Sequence, residues 1–223
     1  MLFRSLDFLL AKVRIQAMYS NQSADGLLTF FEQQAGKSSE NSAPWLAAQY
    51  GKALSLLQLN KIPEAGEVLT QLSKRKPDNL FFQDSLTDQE IAAQQFNAAI
   101  SRLEQRNQSM PDNPVIIMNL ANVYLKANKA DASIRLLDQY TRNNPESSVA
   151  WQLLAEGYEQ TVNQAGFHQA QAEYLALRGE IDQATDQLHM ARANTADNLS
   201  QARIDARIAE LEEQKKVDNS LKR

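Results

Sequence analysis

With 223 residues and 43% apolar side chains, the chain is long enough to bury a core, and only 7 glycines and 6 prolines interrupt helix formation. Its net charge of −4 is spread with no basic block, which gives nucleic acid no electrostatic footprint, and it has no cysteine, which removes disulfide and thiolate chemistry. No stretch approaches the roughly 20 apolar residues a membrane span needs, and the first residues carry charges inside their apolar run with no clean small-residue cleavage site, so no signal peptide is expected.

Residues 2–19 predict a first helix, with Leu6, Leu9, Leu10, Val13, Ile15 and Met18 forming a broad apolar surface and Arg4, Lys12 and Arg14 elsewhere on it. Asn21 or Ser23 can cap a second helix over 24–35, and Gly36 ends it. The polar run 36–42 is the joint between this lead-in hairpin and a first regular repeat. Repeat one covers 44–78: Trp45, Ala48, Tyr50, Ala53 and Leu56 on its first helix, a tight turn at 60–62, then Ala65, Leu69 and Leu72. Pro63 falls in the second helix's first turn, where its missing N–H costs little.

Repeat two, 79–112, is the least regular, with Phe81, Phe82, Leu86 and Ile91, then Phe96, Ala99, Ile100 and Leu103. Repeat three, 113–145, reads as two amphipathic helices carrying Ile117, Leu120, Ala121 and Tyr124, then Ile134, Leu137 and Tyr140. Ala121 is small where a second helix must approach closely. Repeat four begins at Ser147 and holds Trp151, Leu154, Ala155 and Tyr158. A turn over 163–166, a helix over 167–177, a turn over 178–180 and a helix over 181–193 follow. The last helix, 197–214, is highly charged with one apolar stripe, as a terminal cap requires, and 217–223 is expected to fray.

Pro77, Pro111 and Pro145 recur at one constant interval. Each stops a helix, because proline lacks the donor for the next hydrogen bond and disfavours helix in the residue before it. That interval is the period of about 34 residues by which helix–turn–helix units of the tetratricopeptide (TPR) class repeat. Trp151, Leu154 and Tyr158 also follow the W-x2-L-G-x2-Y pattern of that class, with Ala155 in place of glycine. The expected fold is an all-α, right-handed TPR superhelix. It has an N-terminal helical hairpin at 1–40, repeats over 41–196, and a capping helix with its tail at 197–223.

Catalytic chemistry finds little support. A zinc-peptidase site needs H-E-x-x-H, with both imidazoles one helical turn apart and a glutamate to polarise water. His168 and His189 lie on different predicted helices and neither has such a neighbour, nor is there a G-x-S-x-G. No catalytic residue, metal site or cofactor is expected. Trp45, Trp151, Tyr124 and Tyr158 sit at packing positions and read as core rather than as ligand-stacking rings.

The binding residues of such a fold lie on the first helix of each repeat, on the face lining the concave groove. Those positions are Tyr50 and Leu54 in repeat one and Phe81, Asp84 and Asp88 in repeat two. Repeat three contributes Met118, Asn122 and Lys126, and repeat four Gln152, Glu156 and Glu159. The set mixes apolar, acidic and polar groups and lacks the Lys/Asn carboxylate clamp of TPR co-chaperones. It suits an extended partner segment with apolar and basic residues.

LDFLLAKVRIQAMY (6–19), AQYGKAL (48–54), NPVIIMNLANVYL (113–125), YTRNNP (140–145) and QARIDARIAEL (201–211) together resemble the C-terminal TPR region of the beta-barrel assembly-enhancing protease family. The resemblance covers nearly the whole chain. It implies a periplasmic location and partners among the outer-membrane barrel-assembly machinery and its barrel substrates, presented to a zinc metalloprotease domain that carries H-E-x-x-H. That domain is missing here, so zinc and catalysis do not carry over to this chain, and a fragment or separated module is implied. A stand-alone TPR scaffold of another envelope-biogenesis or secretion complex is the alternative, and hydrolysis by the chain itself a distant third.

Overall fold

Short polar side chains start many of the helices. The N–H groups of Phe8, Gly26, Trp45, Phe82, Ile116 and Gly166 donate to the side-chain oxygens of Ser5, Ser23, Ser42, Asn79, Asn113 and Asn163, which satisfies donors that the first helical turn leaves open. The computed structural model describes residues 5–221, and all regular structure among them is α-helical.

The chain divides into two compact units, Met1–Ser101 and Arg102–Arg223. The first holds α1 (Leu6–Tyr19), α2 (Ala24–Gly36), α3 (Ala43–Gln58), α4 (Ile62–Arg75) and α5 (Leu80–Ala92). The division falls within α6 (Phe96–Ser109). The second holds α7 (Pro114–Lys126), α8 (Ala130–Asn143), α9 (Ser148–Gln160), α10 (Gln164–Leu177), α11 (Ile181–Ala193) and α12 (Asn198–Leu221).

The turns repeat as the helices do. Asn60, Gln94, Asn128 and Val162 stand at the same register in successive repeats, and all take a left-handed backbone with φ between 56° and 58°. The N–H of the following residue then reaches back to a carbonyl in the last turn of the helix: Lys61 to Leu56 at 2.9 Å, Gln95 to Glu90 at 2.8 Å, Lys129 to Tyr124 at 2.8 Å and Asn163 to Tyr158 at 2.9 Å. This is the Schellman stop, which satisfies carbonyls the helix end would leave open. Gly179 repeats it between α10 and α11, with φ +77° and Glu180 bonded to Leu175 at 3.0 Å.

In the first unit each helix from α2 to α5 packs on the next, and α1 also lies along α3. The core runs through Leu10, Leu27, Phe31, Tyr50, Leu69 and Phe82. Gly51 is needed here because a Cβ would stand 2.5 Å from the Phe31 ring, so α2 and α3 approach through its bare backbone. In the second unit α7 to α12 pack in sequence, with one core around Ile117, Leu137 and Leu154 and another around Ile181, Leu188, Ile204 and Leu211. Ala121 and Ala155 are buried, as close helix approach requires.

A tyrosine–carboxylate tie recurs in this unit. Tyr124 Oη donates to Glu104 Oε1 at 2.6 Å, and one repeat later Tyr158 Oη donates to Asp138 Oδ1 at 3.0 Å. Each ties the first helix of one hairpin to the second helix of the hairpin before it. Desolvation and then the neighbouring carboxylate hold both phenols above their ordinary range, so both donate at any physiological pH.

One expectation changes. The turn assigned to 163–166 is shorter, because Asn163 caps α10 and helix begins at Gln164. Helix continues through the tail to Leu221, and residues 222–223, like 2–4 of the predicted first helix, lie outside the described residues. Leu10, Val13, Leu27 and Phe31 of the lead-in hairpin share one core with α3 to α5.

Candidate functional site

The candidate surface is the face of the odd-numbered helices, and each unit builds its own portion. In the first unit, helical spacing on α5 puts Phe81, Asp84 and Asp88 on one side. Phe81 and Asp84 are half-buried and Asp88 is exposed. On α3, Leu54 is half-buried against the core.

Tyr50 corrects the sequence reading. It has no exposed surface at all, its hydroxyl is 3.0 Å from Ser85 Oγ, and its ring packs at 6.2 Å from Phe81 and 5.6 Å from Phe82. Helical spacing assigns it to the correct face of α3. That face is covered, because α1 and α5 close over it, and burial pushes its phenol pKa up. Tyr50 is therefore support for the surface and not part of it.

Arg14 of α1 is the residue that sequence reasoning missed. Its Nη1 lies 2.5 Å from Asp84 Oδ2, tying α1 to α5 over α3. Asp88, one turn further along α5, has a carboxyl pushed up to about 6, first by desolvation and then by the negative Asp84, with Arg14 offsetting part of the rise. Beside Phe81 a cavity of about 500 Å³ opens, lined by Asp7, Lys76, Pro77, Asn79 and Leu80 as well. Asn79 Nδ2 donates to Asp7 Oδ1 at 3.0 Å at its edge.

In the second unit Met118 and Asn122 of α7 are half-buried and Lys126 is exposed, and on α9 Glu156 is half-buried while Gln152 and Glu159 are exposed. Lys126 Nζ and Glu156 Oε1 meet at 3.0 Å, so structure joins two predicted residues into an ion pair between α7 and α9. Nearly half of the lysine side chain and over a third of the glutamate stay in water, which leaves the pair available to rearrange around a ligand. Met118 packs on the core around Ile117 and Leu154.

The histidines serve elsewhere. His168 Nδ1 is 2.7 Å from Gln187 Oε1 and its ring packs edge-on to Phe167 at 5.2 Å, while His189 is exposed on α11. Among the described residues no three His, Asp or Glu side chains converge as metal ligands, and no helix is long and apolar enough to cross a membrane. What the surface offers chemically is apolar contact, carboxylates and a few cations, which are the means of recognition.

Comparison with known proteins adds to this geometry. The tetratricopeptide repeat family matches residues 90–157. The chain is 36% identical over 211 residues to the beta-barrel assembly-enhancing protease of Escherichia coli K12, covering 93% of this chain and 42% of that protein. It is 37% identical over 211 residues to the protein of the same name from Yersinia pestis, with the same coverage. A putative beta-barrel assembly-enhancing protease of Vibrio cholerae is 41% identical over 83 residues, 37% of this chain and 17% of that one. The chain thus spans less than half the length of the curated relatives it matches. A tetratricopeptide repeat protein from Parabacteroides merdae superposes with a TM-score of 0.57 at 11% identity, covering 89% of this chain and 82% of that one, which shows the shared fold.

Proposed function

This chain is related to the beta-barrel assembly-enhancing proteases through a tetratricopeptide region, and on that premise we propose that it recognises components of the outer-membrane barrel-assembly machinery or stalled barrel proteins. In the longer proteins of this kind it presents them to a zinc metalloprotease domain. The place of work is the periplasm and the role is quality control of barrel assembly. The observation that carries this reading is the 36% identity over 93% of the chain.

The physical chemistry supports a recognition role. Within each unit, stacked hairpins put the same helix face of successive hairpins side by side, which offers a partner Leu54, Phe81 and Asp88 in the first unit and Met118, Lys126 and Glu159 in the second. Apolar burial supplies most of the affinity and the charged groups set register and association rate. The chain itself lacks H-E-x-x-H, so its part is holding and not cutting.

The test is direct binding of the purified chain, by surface plasmon resonance, to purified barrel-assembly components and to an unfolded outer-membrane barrel protein held in urea-diluted solution. Phe81→Ala is expected to weaken binding without loss of helix by circular dichroism, and Glu156→Lys with Glu159→Lys to slow association. Wild-type failure to bind either class overturns the reading.

A further inference from the structure

The first helix, α1, carries apolar side chains on two opposite sides. One side holds Leu10, Val13 and Ala17, all buried. The helical period turns Phe8, Ala11, Ile15 and Met18 to the other side. Ile15 is 61% exposed, Met18 59% and the adjoining Tyr19 75%. In the same unit α2 is built the ordinary way, with Asp25, Thr29, Glu32 and Gln33 exposed and Leu27 and Phe31 buried. Single exposed apolar residues are common on protein surfaces, whereas a continuous apolar stripe marks a contact.

The spacing of the stripe selects the contact. Phe8, Ala11, Ile15 and Met18 follow the alternating interval of three and four that makes a coiled-coil seam, at positions a, d, a and d. A β-branched isoleucine at an a position favours two parallel strands. The flanks carry opposite charge. Asp7 borders the seam on one side, at position g, and Lys12 borders it on the other, at position e, and both are exposed. The Asn79 amide holds Asp7 in place, Nδ2 to Oδ1 at 3.0 Å. Among the described residues Lys12 has no acidic partner in its own chain. Arg14, at the next g position, is engaged by Asp84. In a parallel pair a g residue meets the e residue of the following heptad in the other chain, so Asp7 of each copy meets Lys12 of the other. An antiparallel pair sets each flank against its own copy, with lysine near lysine.

We propose that the outer face of α1 docks against α1 of a second copy of this chain, in parallel. Phe8, Ala11, Ile15 and Met18 form the seam, and two ion pairs between Asp7 and Lys12 close it. Packing on α3 already orders α1, so pairing costs little further entropy and a short seam supports a reversible dimer. This inference stands independently of the recognition role proposed above.

The probe is the purified chain itself, followed by sedimentation equilibrium across the micromolar range, with circular dichroism to check that each variant keeps its helix. Wild type is expected to pass from monomer to dimer as concentration rises. Ile15→Ser removes an apolar side chain from both sides of the seam and is expected to weaken the dimer about a hundredfold, tenfold per copy. Lys12→Glu is expected to weaken it about fivefold at low salt and hardly at high salt. Because the chain has no cysteine, Met18→Cys adds a single thiol. That variant is expected to form a disulfide-linked dimer on mild oxidation, and Gln33→Cys on α2 is not. A chain that stays monomeric at every concentration overturns the proposal. So does a dimer indifferent to Ile15→Ser, which pairs elsewhere, and so does one that Lys12→Glu strengthens and Met18→Cys fails to link, which pairs antiparallel. A monomeric chain that binds vesicles of phosphatidylethanolamine and phosphatidylglycerol, and loses that binding in Ile15→Ser, assigns the face to a lipid surface and overturns it as well.

Discussion

Val162 holds φ at +58° with a β-branched side chain and is 77% exposed, at a turn position where Asn60 and Asn128 stand in the equivalent repeats. For an L residue with a branched Cβ this region is strained by about 1–3 kcal/mol, whereas asparagine enters it readily. Val162→Asn is therefore expected to stabilise the protein by about 1 kcal/mol in urea denaturation, with no change in helix content. A destabilised variant means that the Schellman turn after α9 does not hold in solution. Asp88 offers a prediction with a pH signature. Its folded carboxyl titrates near 6, above the ordinary value near 4, so between those values the folded state binds more protons than the unfolded one. Its contribution favours the fold at pH 4 and is lost as pH rises through 6. Asp88→Asn, which stays neutral throughout, is expected to melt higher than wild type at pH 7.5 and equally at pH 4. The carboxylate and cation that set this titration are Asp84 and Arg14. A melting difference independent of pH shows that Asp88 is solvated normally.

At the scale of helices, contact is set by where the backbone can come close. Gly51 faces the Phe31 ring, which an added Cβ would meet at 2.5 Å. Phe31 belongs to the core shared by α1 to α5, so the ring has little room to swing. Gly51→Ala is expected to cost on the order of 1–3 kcal/mol by overpacking, against a gain of about 1 kcal/mol from better helix propensity at an exposed site. Equal or increased stability by thermal melting means that α2 and α3 pack more loosely than this. The tie between Tyr158 and Asp138 works in the opposite sense, by attraction: it fixes α9 on α8 through a group that stays protonated and always donates. Gly166 lies under the same tyrosine ring, where an added Cβ would stand only 2.7 Å from it, so one side chain organises three consecutive helices.

For the molecule as a whole, stability is a sum of hairpins and of the interfaces between neighbours. Ala121 has no exposed surface and sits in the core that joins α7, α8, α9 and α10. Ala121→Leu is expected to cost about 1–3 kcal/mol and to lower amide hydrogen-exchange protection in α8 and α9 as well as in α7, because the damaged interface belongs to more than one hairpin. Protection lost in α7 alone shows that the hairpins are energetically separate. Far-ultraviolet circular dichroism is expected to be dominated by helix, and a β-sheet signal contradicts the fold.

The amino-acid sequence by itself determined the helices, their turns and the register of the repeats. Apolar periodicity, proline stops and small polar caps act over a few residues, and Trp151, Tyr158, Asn79 and Asn113 announce their roles locally. Through helical spacing it also puts Phe81, Asp84 and Asp88 on one side of α5. The repeated ties leave a trace in it too, since Glu104 and Asp138 recur at the same offset from Tyr124 and Tyr158. Only the tertiary structure decided that Tyr50 is sealed, that Arg14 pairs with Asp84, and that the Asp88 carboxyl is pushed up to about 6. Arg14 and Asp84 are separated in the chain by three whole helices, and no local pattern connects them. A helical period tells which side of a helix a residue faces, while accessibility and charge pairing depend on what other helices bring to that side, which is fixed only when α1 packs along α3 and its guanidinium reaches α5.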